Sequence, residues 1–245
     1  MIEAMIFSAG LGTRLKPITD YLPKALVEVN KITVLERVIK RLKSFGVQKI
    51  IVNVHHYEDL IIDFLKNKNY FDLDIKISIE VDILLDTGGG LKYAEKYFSK
   101  EYPILLHNVD IVSNINLNKL YENYQTNNSL VTLAVQNRKS DRYFIFNSEY
   151  NLCGYGNLNC EEIMDKNIIG DEFYRLGFTG IHIISPEIFN KIIQNGSFSI
   201  RDIYLNLAKN GEIIKGVLCD ESYWFDIGSK SKLNETNTFM KKNNY

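Results

Sequence analysis

Within the first thirty residues a short apolar run, "AMIF", gives way to Ser8, Ala9, Gly10 and Gly12, then to Thr13, Arg14 and, behind Pro23, Lys24. Two glycines in so short a loop let backbone N–H groups come close to a ligand, and the two cations beside them supply charge for a phosphate. The familiar nucleotide loops fit poorly. A dinucleotide-binding turn needs a third glycine near Leu15 and a helix that starts at once, and Pro17 and the turn-like "ITDYLP" argue against that helix. A P-loop closes on Gly-Lys-Ser/Thr, where this chain has Gly-Thr-Arg. On residue types alone, what remains is an open anion-binding loop, with a surface turn followed by two solvated cations as the competing reading.

Other reactive side chains are less informative. His55 and His56 stand where "NVHHYEDL" passes from a strand into a helix. Adjacent strand side chains point to opposite faces, so the two do not form a natural ligand pair. Cys153, Cys160 and Cys219 have neither CxxC nor Cys/His spacing, and an odd number suits a reducing compartment better than a disulfide framework.

The elements that must position these residues are legible from periodicity. "AMIFSA", "KIIVNV", "DIKISIE" and "PILLHNVD" read as short apolar strands. They alternate with the amphipathic stretches "VLERVIKRLKSFG", "EDLIIDFLK" and "GGLKYAEKYF". Such a βαβ series predicts an α/β fold: a Rossmann-like, mostly parallel (mixed) sheet flanked by helices, with ligands gathering at the carboxyl ends of the strands. After Asn116 the rhythm changes to the closely spaced strand candidates "LVTLAV", "RYFIFN" and "NLCGYG", before "FTGIHII" and two further helices. A small additional β-containing lobe is expected there. The stripes "ERVIKRLKSF" and "EDLIIDFLK" and the aromatic Tyr223, Trp224 and Phe225 read as core, and the polar tail "FMKKNNY" is expected to fray.

Bulk properties bound the partners. With 245 residues, 45% hydrophobic, the chain is long enough for one full core. Twenty-nine basic against thirty acidic residues leave a net charge of −1, which gives no global field to attract nucleic acid or an anionic membrane. No apolar run is long enough to span a bilayer, and with no targeting segment a cytoplasmic location is expected.

"AGLGTRLKPITDYLPKALVEV" resembles the signature of the sugar-1-phosphate nucleotidyltransferases, in which Gly-x-Gly-Thr-Arg-x-x-Pro-x-Thr runs on to Pro-Lys-Ala/Pro-Leu. The likeness continues in order through "LLDTGGGLKYA", "LLHNVDIVSNINL", "FTGIHIISPEIF" and "YWFDIGSKSKLNE", so nearly the whole chain is covered. The triple glycine of "DTGGG" is most similar to the N-acetylmuramate-1-phosphate uridylyltransferases, then to heptose- and mannose-1-phosphate guanylyltransferases.

The resemblance implies a GT-A-like fold. One nucleotidyltransferase domain would occupy residues 1–245, with a nucleotide-binding half at 1–115 and a sugar-binding half carrying the second metal ligand at 116–245. It implies a Mg²⁺-dependent reaction of a nucleoside triphosphate, with UTP expected, and a sugar-1-phosphate, without a covalent intermediate. The working protein would be a monomer or small homo-oligomer. Arg14 would meet the leaving pyrophosphate and Lys24 the α-phosphate and attacking phosphate. Asp110 and Asp226, each at an apparent strand end, would be the oxygen ligands for Mg²⁺. Ala9, Gly10, Gly12, Thr13, Thr87 and Gly88 would hold the nucleotide, with the glycine turn reading the base. Asn108, Thr179, Gly180 and Asp202 would hold the sugar. Because the chain ends soon after the second aspartate segment, the β-helical acyltransferase domain fused to some relatives is expected to be absent.

Two departures stand out. His107-Asn108-Val109-Asp110 replaces the Asn-Gly-Asp or Gly-Asp of many relatives, and the Glu-Lys-Pro of hexose-1-phosphate thymidylyltransferases has no counterpart between Tyr143 and Glu172, where Arg175 is a weak substitute. Other readings stay open: a guanylyltransferase, with Asp86 accepting from the guanine amino group; a choline-phosphate type cytidylyltransferase; and a catalytically silent sensor of sugar nucleotides.

Overall fold

The computed structural model describes residues 1–164 and 172–243. The strands are β1 Glu3–Phe7, β2 Glu28–Val29, β3 Ile32–Thr33, β4 Lys49–Val54, β5 Asp74–Ile79, β6 Ile104–Asn108, β7 Ile111–Ser113, β8 Val131–Gln136, β9 Arg142–Phe146, β10 Leu152–Asn157, β11 Glu161–Ile163, β12 Tyr174–Ile184, β13 Ile214–Leu218 and β14 Trp224–Asp226. The helices are α1 Val34–Phe45, α2 Glu58–Asn67, α3 Asp86–Tyr93, α4 Leu117–Asn127, α5 Ile188–Lys191, α6 Ile200–Lys209 and α7 Lys230–Lys242.

Ten strands form one sheet. Its main path runs β11-β10-β9-β12-β6-β1-β4-β5, and β8 joins β12 to β13. Strands β6, β1, β4 and β5 are parallel, whereas β12 runs antiparallel to β6. Strand β12 belongs to both parts of the sheet: Tyr174–Leu176 pair with β9 of the lobe, and Ile181–Ile184 pair with β6.

Side-chain alternation divides the core between the two faces of the sheet. Ala4, Ile6, Ile50, Val52 and Leu105 meet the apolar stripe of α1 with Leu65 of α2, Leu120 of α4 and Met240 of α7. Met5, Ile51, Ile104 and Leu106 face the other way, onto Leu91 of α3, Phe189 of α5 and Tyr204 of α6. Helix α1 forms where expected for identifiable reasons. Thr33 caps it by accepting from the Glu36 amide, Val34, Leu35, Val38, Ile39 and Leu42 line its buried side, and Gly46 ends it at φ 101°.

Three elements depart from the sequence reading. Helix α4 was not foreseen, because "LNKLYENYQTN" buries only Leu117 and Leu120 and its Asn116 cap is a short-range signal. "DTGGG" is the first turn of α3, not a loop. The polar tail is helical to Lys242, held by the buried Met240 and by Phe239 against Tyr223 and Phe225. Asn244 and Tyr245 of that tail lie outside the described residues.

Candidate active site

Register fixes the site. Phe7 ends β1 opposite Asn108 of β6 and Asn53 of β4, and Asn53 in turn is opposite Ser78 of β5. The residues that follow these strands therefore leave the sheet along one carboxyl edge, where α/β sheets collect ligands. Ala9, Gly10, Lys24, Asn53, Glu80, Leu84, Asp86, Thr87, Asn108, Val109 and Asp110, with Phe7, enclose a cleft of about 210 Å³ there. Gly12 adopts φ 64°, and a Cβ at this position would lie 2.9 Å from the Thr19 side chain. The opening loop thus turns back on itself through glycine, and Thr19 closes it by donating to the Gly12 carbonyl at 2.9 Å.

The wall opposite the loop is polar and organised. Glu80 accepts from the Asn53 amide at 2.8 Å and from the Leu85 backbone N–H at 2.7 Å. Burial raises its pKa above the ordinary carboxylate value, the Leu85 N–H and the nearby His55 working against that shift. Asp86 stands at φ 57° and accepts from the Thr87 amide at 2.6 Å. The Thr87 hydroxyl accepts from the Ile200 amide at 3.1 Å, which ties α3 to the start of α6.

At the mouth of the cleft the charges gather. Lys24 makes an ion pair with Asp110. Strands β7 and β14 pair so that Asp226 lies opposite Ile111, and the Ile227 amide donates to the Asp110 carbonyl at 3.0 Å, so the two aspartates emerge side by side. Asp226 accepts from Lys232 at 2.9 Å and from the Gly228 amide at 2.7 Å. Burial alone would raise the Asp226 pKa, but the Lys232 contact and charge, the Gly228 N–H and the Lys24 charge together hold it below its ordinary value. The Arg14 guanidinium leans on the same turn: a Cβ at Gly228 would lie 2.8 Å from its Nη2 and 2.7 Å from Asp226 Oδ1. Two carboxylates are hard oxygen donors suited to Mg²⁺, whose remaining ligands commonly come from substrate phosphates and water. Among the described residues no group of three or more His, Cys, Asp or Glu side chains assembles to hold a metal unaided.

A second, larger cleft of about 450 Å³ continues from the first, and the two share Asp86, Thr87 and Asn108. Arg138, Arg142, Tyr143, Tyr155, Phe178, His182 and Arg201 line it, contributed by the lobe, β12 and α6. His182 is buried, which pulls its pKa down to about 3, so the ring is neutral at working pH.

The family model for nucleotidyl transferases matches residues 3–243 of this chain. The chain belongs to the nucleotidyl transferase family, and its curated relatives place it among the sugar-1-phosphate nucleotidyltransferases. Among curated relatives, an N-acetylmuramate α-1-phosphate uridylyltransferase of Caulobacter vibrioides is 29% identical over 92% of this chain and 91% of its own length. A D-glycero-α-D-manno-heptose 1-phosphate guanylyltransferase of Campylobacter jejuni is 30% identical over 93% of this chain and 95% of its own. In fold, HddC from Yersinia pseudotuberculosis, solved with GMP-PN, superposes with a TM-score of 0.76 at 22% identity, covering 98% of this chain and 100% of that one. A glucose-1-phosphate thymidylyltransferase structure from Bacillus anthracis gives a TM-score of 0.80 at 16% identity, over 98% and 95%. The mixed, mostly parallel sheet with flanking helices is therefore GT-A-like.

In this nucleotidyltransferase the structure brings Ala9, Gly10, Lys24, Thr87, Asn108 and Asp110 into one cleft, with Arg14 and Asp226 beside its mouth. Gly12 and Thr13 belong to the loop without lining the cleft. Four other expectations meet different surroundings. The Gly88 amide donates to the Phe198 carbonyl at 2.9 Å, and a Cβ there would lie 2.5 Å from the Phe198 ring, so this glycine serves helix packing. Thr179 is fully buried, with its hydroxyl donating to the Ala134 carbonyl and its own carbonyl accepting from the Trp224 indole, both at 2.8 Å. Gly180, at φ 78°, leaves space for the Asn108 amide, 2.8 Å from where a Cβ would be, so it bears on the second cleft through Asn108. Asp202 is not among the residues lining either cleft and pairs with Arg201 at 2.6 Å. Arg175 is also committed elsewhere, forking onto Glu161 at 2.7 and 2.8 Å. The His55 ring is held by the Glu80 carbonyl at 2.7 Å. Sequence reasoning missed Glu80, Lys232 and Arg138. Only Lys232 carried a signal, standing six residues beyond Asp226 at the start of a helix.

Proposed function

We propose that this nucleotidyltransferase moves a uridylyl group from UTP to a hexose-type sugar-1-phosphate such as N-acetylmuramate 1-phosphate, with Mg²⁺ held by Asp110 and Asp226. The observation that carries the reading is the continuity of the two clefts at Asp86, Thr87 and Asn108, with Lys24, Asp110, Asp226 and Arg14 clustered beside the junction.

The chemistry follows from that arrangement. An anionic oxygen of the sugar-1-phosphate attacks the α-phosphorus, the bond from that phosphorus to the bridging oxygen breaks, and pyrophosphate leaves in line. The attacking oxygen is already deprotonated, so no general base is needed. The work is to bring two polyanions together, orient them and spread the developing charge. Bound Mg²⁺ would neutralise phosphate oxygens and fix their geometry. Lys24, at the mouth of the nucleotide cleft, is placed to leave Asp110 for the phosphates as substrate arrives. Arg14 offers a planar fork to the departing pyrophosphate.

For the base, the narrow cleft between Ala9-Gly10 and Leu84–Thr87 suits a pyrimidine, and Glu80 is already engaged on both oxygens. A guanylyl reading is favoured by one feature, the second carboxylate oxygen of the exposed Asp86, which is positioned to accept from a guanine amino group. Competition between equimolar UTP and GTP, with N-acetylmuramate, mannose and glucose 1-phosphates as acceptors, tests the proposal. A UDP-sugar excess of at least about tenfold, worth about 1.4 kcal/mol, is expected. A product pool dominated by GDP-sugar would move the assignment to the guanylyl reading.

A further inference from the structure

The cations around the sugar cleft are not equivalent. Arg201 is paired with Asp202, Arg175 with Glu161 and Lys24 with Asp110, while Arg142 is exposed at the rim. Arg138, just beyond β8, makes no ion pair among the described residues, although it is drawn well into the protein. It is nevertheless held firmly. One terminal N–H donates to the Phe178 carbonyl at 2.8 Å, and the guanidinium lies over the Trp224 ring at 3.9 Å from its centre. Gly177 makes room for it, since a Cβ there would stand 2.9 Å from Arg138 Cζ. Its Nε is buried without a partner. The charge of Asp226 also reaches it, and Arg138 lines the second cleft.

A guanidinium fixed in a cleft without an ion pair, with one terminal nitrogen given to Phe178, keeps charge and terminal N–H groups for an arriving anion. Its fork fits two phosphate oxygens, and stacking on an indole sets the plane in advance.

Building on the proposed reaction, we propose that Arg138 is the binding residue for the phosphate group of the sugar-1-phosphate, held in its binding pose by Trp224, Phe178 and Gly177. The second substrate is thereby recognised by a preset fork rather than by a flexible lysine.

Two measurements test this. The first is pyrophosphate release at saturating UTP and Mg²⁺ with N-acetylmuramate 1-phosphate varied. Arg138→Met keeps the stem and removes the charge, and it should raise the KM for that substrate by at least about twentyfold while the KM for UTP stays within about twofold. Arg138→Lys should recover part of the loss. Gly177→Ala, which crowds the guanidinium without removing it, should reproduce a smaller rise and covers the case in which Arg138→Met does not fold. An unchanged sugar-phosphate KM in Arg138→Met, or an equal rise for UTP, overturns the assignment.

The second is equilibrium binding of N-acetylmuramate 1-phosphate against N-acetylmuramate in the presence of a non-hydrolysable UTP analogue. The wild type should prefer the phosphate ester and Arg138→Met should lose that preference. Such an Arg138-dependent preference without any pyrophosphate release would sink the transfer reaction and leave this inference standing. A wild type indifferent to the phosphate overturns the inference itself.

Discussion

At the scale of single residues, each aspartate at the mouth of the cleft is balanced by its own lysine, Asp110 by Lys24 and Asp226 by Lys232. Replacing either carboxylate with an amide removes a proposed Mg²⁺ ligand and leaves a lysine unpaired, while the β7–β14 ladder beside them is backbone-built and should persist. Asp110→Asn and Asp226→Asn should each reduce turnover by about a thousandfold or more, on the order of 4 kcal/mol in the barrier, with circular dichroism unchanged. Near wild-type rates at saturating Mg²⁺ would take that residue out of the metal site. Glu80 offers a test by pH. Its folded pKa is raised, chiefly by burial, so between the ordinary carboxylate value and the raised one the native state binds more protons than the unfolded chain. Stability contributed by this group is therefore lost as pH rises through that window. Glu80→Gln cannot titrate, and Asn53 Oδ1, buried without a partner, can accept from the new amide if the Asn53 side chain turns over. In urea denaturation the variant should gain on the wild type as pH rises above the ordinary carboxylate value; a difference that stays constant with pH would show that Glu80 does not titrate with folding. Arg14, Lys24 and Asp110 could be picked from the sequence because motif and strand end coincide at them. Glu80 and Arg138 could not, since their roles depend on burial and on neighbours such as Asn53 and Trp224 that are distant along the chain.

At the scale of elements, strands and helices with clean periodicity were legible, and those determined by packing were not. Helix α1 has its cap, stripe and terminal glycine in the sequence. Helix α3 begins Asp-Thr-Gly-Gly-Gly, which has poor helix propensity, yet these glycines let the 196–198 segment, Asn53 and Glu80 pack closely against its first turn. A Cβ at Gly89 would stand 2.2 Å from the Gly196 carbonyl oxygen, and one at Gly90 2.4 Å from the Asn53 amide. Helix propensity alone would favour alanine by about 1 kcal/mol, but a backbone oxygen at that range cannot yield without moving the 196–198 segment. Gly89→Ala should therefore cost about 2–3 kcal/mol in chemical denaturation. A stabilised variant would mean that the segment moves freely. The same logic accounts for β14. Alternation sends Tyr223 and Phe225 onto Phe239 and turns Trp224 the other way, to Arg138 and the Thr179 carbonyl. The three aromatics read as one core cluster in sequence because nothing local says which face of so short a strand is occupied.

At the scale of the whole molecule, strand β12 ties together the parts of the sheet that carry the two clefts. Strand β12 pairs with β9 in the lobe and with β6 in the parallel part, and the clefts meet where Asn108 ends β6. Both apolar layers draw residues from β1, β4 and β6, so neither half can unfold without stripping a face of the other. One cooperative thermal transition is expected, and a ligand of either cleft should move all of it. At a UTP concentration of about a hundred times its Kd the native state gains about 2.7 kcal/mol. For a chain of this size each kcal/mol is worth about 2–4 °C, so a rise in Tm of roughly 5–11 °C should follow in the presence of Mg²⁺. If the proposed roles hold, the Mg²⁺-dependent part of that rise should be missing from Asp226→Asn, because Asp226 lies at the mouth and does not line the first cleft. Differential scanning calorimetry with UTP alone, Mg²⁺ alone and both together separates these contributions. Two transitions, of which UTP moved only one, would mean that β12 ties together halves that fold independently. A full Mg²⁺-dependent shift in Asp226→Asn would mean that the cation is held without that carboxylate.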